Sequence, residues 1–508
     1  MRHPGLLVRL LLGTLLLAAP AMLNRQPLLY EDIFAYLRGP AVLLAQAGGP
    51  RFQNAWSRMG PPASETAAAA PAPVAPPVAA PPAATPAEKA ERHIEAGRSI
   101  YWGSLAYLGW FAGGFWGLVV LQAALVAWLL DLLLLRLLRL GPGWYAGALS
   151  GLTLATPLPL YIAYVMPDLF AALGILGAGL LLGFWGALRQ GERLALLLLT
   201  AFAAMAHASH LLTLAALLAL GTGAALLGRL PAPRRAPLLG LAACVAAGVA
   251  GEVAFGQAVT LALGQAPLRL PHLAGHLIEM GPGLDLLRAE CGAAPAPFAL
   301  CAYLDRLPVD WVSFLFDSDP ARGVFGAADA ATKRLISAEQ TRFALAALAH
   351  DPWGTATGLL RDGLEQVVTF ATPDVIYTPK RLDFFAHYFP ASLAEAAPFT
   401  LLQTHPWIAS AQAALSYLST ALALAVTGLA LARPGPAGRD PAWAGLATLA
   451  WVVLAGLVVN GVVCGVLASP YGRFQARVIW LLPLVAIALV GLRLRASARR
   501  PVAALGAA

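Results

Sequence analysis

Charged side chains are scarce in this sequence. Asp, Glu, Lys and Arg make up 12% of the 508 residues, whereas hydrophobic residues make up 59%, and the mean hydropathy is +0.69. Soluble globular chains carry about 25% charged residues, so roughly half of the usual solvating charge is missing. Because long apolar runs recur along the chain, the composition predicts an all-α polytopic membrane protein.

Several motifs of soluble enzymes are also missing. The sequence contains no glycine-rich nucleotide-binding motif, no GxSxG elbow, no HExxH helix and no CxxC pair, so ATP hydrolysis by this chain is not indicated. Lys and Arg exceed Asp and Glu, which gives a net charge of +8. Since no strip combines basic with aromatic residues, this excess indicates cytoplasmic membrane edges and no nucleic-acid partner.

Ten apolar stretches come close to the roughly 20 residues that a spanning helix needs. They lie at 1–23, 110–135, 144–162, 167–187, 193–207, 210–228, 237–256, 408–432, 442–467 and 478–496. The chain therefore divides into a first span (1–23), an extracytoplasmic loop (24–100) with an Ala/Pro-rich linker (61–87), spans two to seven (101–256), a mixed extracytoplasmic domain (257–400), and spans eight to ten with a cytoplasmic tail (401–508). Because Ala19-Pro20-Ala21 fits a cleavage site, removal of the first segment as a signal peptide is the alternative.

The distribution of arginine orients these spans. With a cytoplasmic N-terminus, every inner connection carries arginine, at Arg136, Arg139, Arg189, Arg193, Arg229, Arg234, Arg235, Arg433, Arg439, Arg493, Arg495, Arg499 and Arg500. In the three short outer connections, only Arg473 and Arg477 are basic. Because Lys and Arg concentrate in cytoplasmic loops, we expect an integral protein of the bacterial cytoplasmic (inner) membrane with both termini in the cytoplasm.

The same topology gathers unusual polar residues at the outer membrane edge. They are Glu31, Asp32, Arg98, Asp168, His207, His210, Glu252, Arg473 and Arg477. Paired carboxylates serve as general bases or metal ligands, so Glu31 and Asp32 are the catalytic candidates. Arginine forks match phosphate oxygens, which makes Arg98, Arg473 and Arg477 candidates for phosphate binding.

Each of these residues also has a structural interpretation. The first-loop acids could be solvated residues at a helix end, and Asp168, which follows a proline, could favour a helix N-terminus. His207 and His210 share a face if the helix continues, but this spacing indicates a metal only with a third ligand. Asp317 and Asp319 could bind a divalent cation or form a turn that ends in Pro320.

Two of the four cysteines fall in the large outer region. Cys291 and Cys301 would form a disulfide in an oxidising compartment. Two reduced thiols are the alternative, because spacing alone does not prove a bridge. Cys244 and Cys464 lie inside apolar spans.

The acids Glu31 and Asp32 just beyond the first of many spans, together with the large outer region and its polar motifs, resemble the GT-C class of integral membrane glycosyltransferases. That class includes protein mannosyltransferases and aminoarabinose–lipid A transferases. The resemblance implies a sugar donor linked to polyprenyl phosphate and approached from the membrane lipid. It also implies that Asp32 or Glu31 deprotonates an acceptor hydroxyl, and that Arg473 or Arg477 holds the leaving phosphate. Whether a divalent cation acts as cofactor stays open.

Two other functions fit the composition. A transporter or flippase of a lipid-linked or polysaccharide intermediate would show internal repeats and polar groups at mid-bilayer. No convincing repeat is present, and Gln122 and Asn460 are the notable polar residues within the spans. A membrane scaffold whose outer domain binds a partner is the third interpretation.

Overall fold

The computed structural model describes residues 4–58, 98–228 and 235–498. The Ala/Pro-rich linker predicted at 61–87 lies outside the described residues, as do Arg229, Arg234, Arg499 and Arg500 of the predicted cytoplasmic edges. Within the described ranges the chain forms helices and no β-strand, and Leu28 and Tyr164 make an isolated parallel bridge. The prediction of an all-α protein is therefore confirmed.

Twenty α-helices longer than one turn lie in the described part of the chain. The first half contains α1 (Pro4–Leu23), α2 (Ile33–Gly48), α3 (Ile100–Phe111), α4 (Trp116–Leu130), α5 (Pro142–Ala155), α6 (Leu158–Ala163), α7 (Leu169–Phe184), α8 (Gln190–Ala206), α9 (Ala208–Leu226) and α10 (Arg235–Leu263). The second half contains α11 (His272–Met280), α12 (Pro282–Glu290), α13 (Trp311–Phe316), α14 (Ala330–His350), α15 (Pro352–Val368), α16 (Pro379–Tyr388), α17 (Trp407–Ala432), α18 (Trp443–Leu467), α19 (Gly472–Ile479) and α20 (Leu481–Ala498). A π-helical segment, Asp131–Leu137, continues α4.

Seven helical stretches in the described residues are long and apolar enough to cross a membrane. They are Gly5–Leu23, Trp116–Leu137, Ala208–Leu226, Arg235–Leu261, Trp407–Ala432, Trp443–Leu467 and Gly472–Ala498. The other three expected spans are shorter helices. At 1.5 Å per residue, the 16 residues of α7 and the 17 of α8 cover about 24 to 26 Å, against a hydrocarbon core of about 30 Å. The length and composition of the seven helical stretches thus support a polytopic membrane protein, but they do not establish ten spans.

The expected span at 144–162 is broken in two. Pro157 provides no backbone N–H, and the residue before a proline avoids the helical region. Thr156 accordingly adopts an extended conformation, with φ −138° and ψ 164°, and its hydroxyl donates to the Leu152 carbonyl oxygen at 2.5 Å. The chain therefore ends α5 at Ala155 and restarts as α6 at Leu158.

Helix α7 lies at the centre of the bundle. Nearly all of its side chains are buried, as expected for a helix that is apolar on every side. It packs closely on α18, where a Cβ atom on Gly183 would lie 2.4 Å from the Gly445 carbonyl oxygen. Small residues that allow such close backbone approach are typical of helix contacts within membranes.

The outer region expected to be mixed is helical where the structure describes it. Several of its polar side chains cap helix N-termini: the Asp310, Asp329 and Asp351 carboxylates and the Thr378 hydroxyl each accept a backbone N–H of the following helix. Such caps satisfy backbone donors that a helix start leaves open. Large apolar side chains, including Phe314 and Phe343, form a core of its own.

Two links tie the outer region together and to the bundle. A disulfide joins Cys291 to Cys301, with the two Cα atoms 5.3 Å apart. The buried His276 of α11 contacts the Asp362 carboxylate at 3.0 Å through Nε2 and the Val466 carbonyl oxygen at 3.2 Å through Nδ1. Since Val466 belongs to α18, this imidazole connects the outer region with a candidate membrane span.

The start of α19 is set by a close approach to the outer region. A Cβ atom on Gly472 would lie 1.8 Å from the Ala371 carbonyl oxygen, so only glycine fits there without movement of the backbone. Because Arg473 follows directly, this contact positions its guanidinium.

We expect Gly472→Ala to destabilise the protein by about 1–3 kcal/mol, because the added methyl group overpacks the contact with Ala371. Thermal unfolding of the purified protein in detergent measures the effect. Gly428→Ala is the matched control, since no atom lies within 4 Å of a Cβ at that position of α17. The control should be neutral or stabilising by up to about 1 kcal/mol. Equal unfolding midpoints for the two variants would contradict the close approach.

Candidate functional site

The first outer loop is held on two sides. Leu28 exchanges backbone hydrogen bonds with the segment between α6 and α7: its N–H donates to Ala163 at 2.8 Å, and its carbonyl oxygen accepts from Val165 at 3.0 Å. On the other side, the buried Gln26 amide donates to the Leu393 carbonyl oxygen at 2.9 Å. These contacts fix the backbone just before Tyr30, Glu31 and Asp32.

Each first-loop acid faces an arginine from elsewhere in the chain. The Arg381 Nε atom of α16 donates to Glu31 Oε1 at 2.6 Å, and the Arg98 Nη2 atom donates to Asp32 Oδ1 at 2.9 Å. All four side chains are at least two-thirds buried. Arg98, which the sequence suggested for phosphate binding, thus bonds one of the two catalytic candidates.

A second ionic cluster lies at the start of α7. Asp168 Oδ1 is 3.8 Å from Arg473 Nε and 3.7 Å from Arg477 Nη1, and all three side chains are at least nine-tenths buried. The structure therefore brings together Asp168 and both arginines of α19, which the sequence placed at the same membrane edge. One carboxylate faces two guanidiniums.

The two arginines differ in their hydrogen bonds. Arg477 Nη2 donates to Ser209 Oγ and Asn460 Oδ1, each at 3.0 Å, and contacts Cys464 Sγ at 3.3 Å. Arg473 has two buried donors, Nε and Nη1, without a hydrogen-bond acceptor among the described residues, whereas Arg477 has one, Nε. Unused buried donors are costly, so Arg473 is the better placed of the two to receive an anion.

Arg473 opens onto a narrow crevice. The crevice is lined by Leu28, Leu160, Tyr161, Tyr164, Thr372, Asp374, Val375 and Arg473. The backbone carbonyl oxygen of Arg473 accepts a hydrogen bond from the Tyr161 hydroxyl at 2.8 Å, which fixes the residue at the crevice wall. The lining therefore combines aromatic rings with one cation and one carboxylate.

Tyr30 connects the two ionic clusters. The Arg473 guanidinium lies 4.0 Å from the centre of its ring, and the Arg381 guanidinium lies 4.7 Å from it. Cations over an aromatic face are attracted by its quadrupole. Burial raises the pKa of the Tyr30 hydroxyl, although Arg473 opposes this, so the hydroxyl stays protonated.

The outer region contributes a further carboxylate. Asp374 Oδ1 accepts a short hydrogen bond from the Tyr471 hydroxyl and lies 3.9 Å from Arg381 Nη2. Burial raises the pKa of Tyr471, and the nearby Tyr30 and Asp374 raise it further. Glu31 and Asp374 therefore share the charge of Arg381.

The histidines predicted for the site have structural partners. His207 Nδ1 accepts the Ser209 backbone N–H at 3.2 Å and so caps α9, while His210 Nδ1 is 3.2 Å from the Ala203 carbonyl oxygen. No group of three His, Cys, Asp or Glu residues suited to a metal occurs in the described ranges. Asp317 and Asp319 form a turn and face Arg322.

Glu252 is the predicted residue that does not join the others. It is exposed on α10 and takes part in none of the ion pairs of the described residues. The helix continues two more turns to Leu263, beyond the predicted end at residue 256, so Glu252 is not at the end of its helix. Glu252 therefore stays a candidate from the sequence alone and lies outside the ionic contacts of the described residues.

Sequence reasoning missed Tyr30, Asp374, Arg381 and Tyr471. Arg381 lies in the segment Thr378–Arg381, which carries two of the cations of the outer region. Adjacent cations in a region predicted to be extracytoplasmic are a weak signal for Arg381, because Lys333 and Arg334 form an equal pair there. Tyr30, Asp374 and Tyr471 have no such signal, because only their burial distinguishes them.

Comparisons of the chain with protein-family models, curated proteins and solved structures gave no match. The site is therefore interpreted from its own geometry.

We expect Asp168→Asn to lower the free energy of unfolding by about 3–5 kcal/mol, because it leaves the buried guanidiniums of Arg473 and Arg477 without their counter-charge. Unfolding midpoints in detergent measure the loss. Asp383→Asn is the control: its side chain is 75% exposed and lies 3.6 Å from His387, so removing its charge should cost about 0–1 kcal/mol. Similar midpoints for both variants would argue against the buried cluster.

Stability should also fall in mild acid because of His272. Burial, reinforced by Arg98 and opposed by Asp32, lowers the pKa of His272 from 6.5 to about 4. As the pH falls from 6.5 towards 4, the unfolded chain binds a proton that the folded chain does not, so the free energy of unfolding decreases. His272→Gln should flatten this dependence, measured as unfolding midpoint against pH. His405→Gln, at an exposed position, should leave the pH dependence of the unfolding midpoint unchanged. If both variants keep the native slope, His272 is not the group responsible.

Proposed function

We propose that this protein is a GT-C-like membrane glycosyltransferase that moves a sugar from a polyprenyl-phosphate carrier to an acceptor hydroxyl on the extracytoplasmic face of the bacterial inner membrane. The observation that carries the proposal is the convergence on Tyr30. Its ring is in contact with Arg473, which has unused donors, and with Arg381, which holds Glu31. The neighbouring Asp32 supplies a second carboxylate.

Transfer to a hydroxyl needs a base and a place for the departing anion. In the proposed reaction, Asp32 or Glu31 accepts the hydroxyl proton while the acceptor oxygen bonds to the anomeric carbon. The bond from that carbon to the phosphate oxygen breaks, and the electron pair leaves with polyprenyl phosphate. Arg473 stabilises the developing negative charge, because its buried Nε and Nη1 donors make no hydrogen bond in the described chain and the Asp168 carboxylate is 3.8 Å from Nε.

Arg477 and Arg98 act on other residues in this scheme. Arg477 is bound to Ser209, Asn460 and Asp168, so we assign it to the positioning of α19. Arg98 holds Asp32 and thereby orients the proposed base. Phosphate binding is thus assigned to Arg473 alone, a narrower assignment than the sequence suggested.

The proposal includes ten spans with both termini in the cytoplasm. The short helix α7 is surrounded by protein, so it need not match the thickness of the lipid. Helix α8, and the helices α5 and α6 taken together, supply the other two of the ten proposed spans. The polar network around Asn460 favours a transferase over a transporter, because Asn460 bonds to Phe474, Gln475 and Arg477 and so joins α18 to α19.

Asp32→Asn tests the proposed base. We expect a loss of turnover of about 10²- to 10⁴-fold, the range for removal of a general base, with undecaprenyl phosphate still bound. Turnover is measured in proteoliposomes as release of undecaprenyl phosphate from undecaprenyl-phosphate-linked sugars, with a membrane extract as the source of acceptors.

Glu31→Gln is the comparison for the neighbouring acid, and Asp383→Asn controls for the loss of an exposed charge. If Asp32→Asn turns over at the native rate and Glu31→Gln does not, Glu31 is the base. If both variants retain native turnover, or if the native protein releases no undecaprenyl phosphate from any of these donors, the proposed function is wrong.

A further inference from the structure

Helix α15 carries an apolar stripe that is uncovered in the described chain. The side chains of Trp353, Leu360, Leu364 and Val368 are large, apolar and 80%, 60%, 55% and 64% exposed. With 3.6 residues per turn, these positions fall within about 80° of one another around the helix. Isolated exposed apolar residues are common on proteins, whereas a continuous stripe marks an interaction surface.

The opposite face of α15 packs closely on the candidate span α18. A Cβ atom on Gly465 would lie 2.5 Å from the Asp362 carbonyl oxygen, and one on Gly461 would lie 2.9 Å from Val367 Cα. Asp362 is thus beside Gly465, and Val367 is beside Gly461. The two helices therefore run antiparallel, and α15 descends along the outer part of α18.

The contacts of α15 with α18 show how far along the candidate spans the end of α15 lies. Gly461 is six residues before the end of α18 at Leu467, which corresponds to about 9 Å. Just beyond α15, the Phe370 ring stacks on Tyr417 with centroids 3.9 Å apart, and the Phe370 N–H donates to the Tyr417 hydroxyl at 3.0 Å. Tyr417 is ten residues into the candidate span α17, about 15 Å along it.

The neighbouring surfaces of these two spans are also apolar and exposed. Leu418 of α17 is 67% exposed and Val458 of α18 is 48% exposed, as expected for side chains that face lipid. The stripe on α15 continues this surface outward. Arg361 and Glu365 lie on one flank of the stripe, where their heads can reach the polar boundary.

We propose that α15 is embedded in the outer leaflet of the bilayer, with Leu360, Leu364 and Val368 against the acyl chains. Trp353 is nine residues before Asp362, so it lies about 13 Å farther out and meets the polar boundary, where tryptophan is common. The chain enters the leaflet along α15, turns at Phe370 and returns to deliver Thr372 and Asp374 to the crevice beside Arg473. One helix and one turn therefore separate the crevice from the lipid. A segment that turns back within the membrane is tolerated where its backbone is buried against protein, as α15 is on α18.

Spin labels on single introduced cysteines test this placement. Leu360→Cys and Leu364→Cys are labelled in the full chain and reconstituted into phosphatidylethanolamine–phosphatidylglycerol liposomes. Collision rates with oxygen, which concentrates in the bilayer, and with a water-soluble nickel chelate are then compared. Cys244 and Cys464 are buried and the other two native cysteines form a disulfide, so the native chain taken through labelling gives the background.

Leu335→Cys on α14 is the matched control, because Leu335 is 56% exposed on a helix that is not apolar enough to be a candidate span. We expect labels at residues 360 and 364 to favour oxygen over nickel several-fold more than the label at residue 335, with residue 364 the deeper. Nickel access equal to that at residue 335 would overturn the proposal. Shielding from both reagents, with or without dipolar coupling between copies, would also overturn it, because protein would then cover the stripe. Neither result depends on glycosyltransferase activity.

Discussion

The ionic contact of Asp168 with Arg473 and Arg477 is the interaction on which the outer half of the helix bundle depends. Three charged side chains that are at least nine-tenths buried are stable only when their charges meet, because an unpaired buried charge costs several kcal/mol. Arg477 extends the contact to Ser209 on α9 and Asn460 on α18. One guanidinium thereby sets the relative positions of α7, α9, α18 and α19.

The site also depends on the outer region, which contributes side chains to it. Arg381 and Asp374 come from that region, and they meet Glu31 and Tyr471 at the membrane edge. The backbone of the first outer loop is held by contacts from α6 on one side and from Leu393 on the other. The acids, the crevice and the outer helices therefore form one unit, and folding of the outer region completes the site.

The sequence predicted much of this arrangement, because a bilayer restricts where charge can lie. The sequence placed Glu31, Asp32, Arg98, Asp168, Arg473 and Arg477 at one edge from topology alone, and the structure pairs Asp32 with Arg98 and Asp168 with both Arg473 and Arg477. Glu252 lies outside these contacts, on a helix that continues past the predicted end of its span. Asp374 and Arg381 were not found. The sequence shows only that a residue is charged, and it does not show whether that charge is solvated in a loop or buried in a site.

Composition and the lengths of apolar runs determined by themselves that the chain is an all-α membrane protein, because both depend only on the free energy of transferring side chains into lipid. The tertiary structure decided the pairing of Arg381 with Glu31, the contact of Tyr30 with two guanidiniums, and the difference between Arg473 and Arg477. These contacts join residues that are far apart in the chain. Their geometry depends on how the helices pack, which no local pattern records.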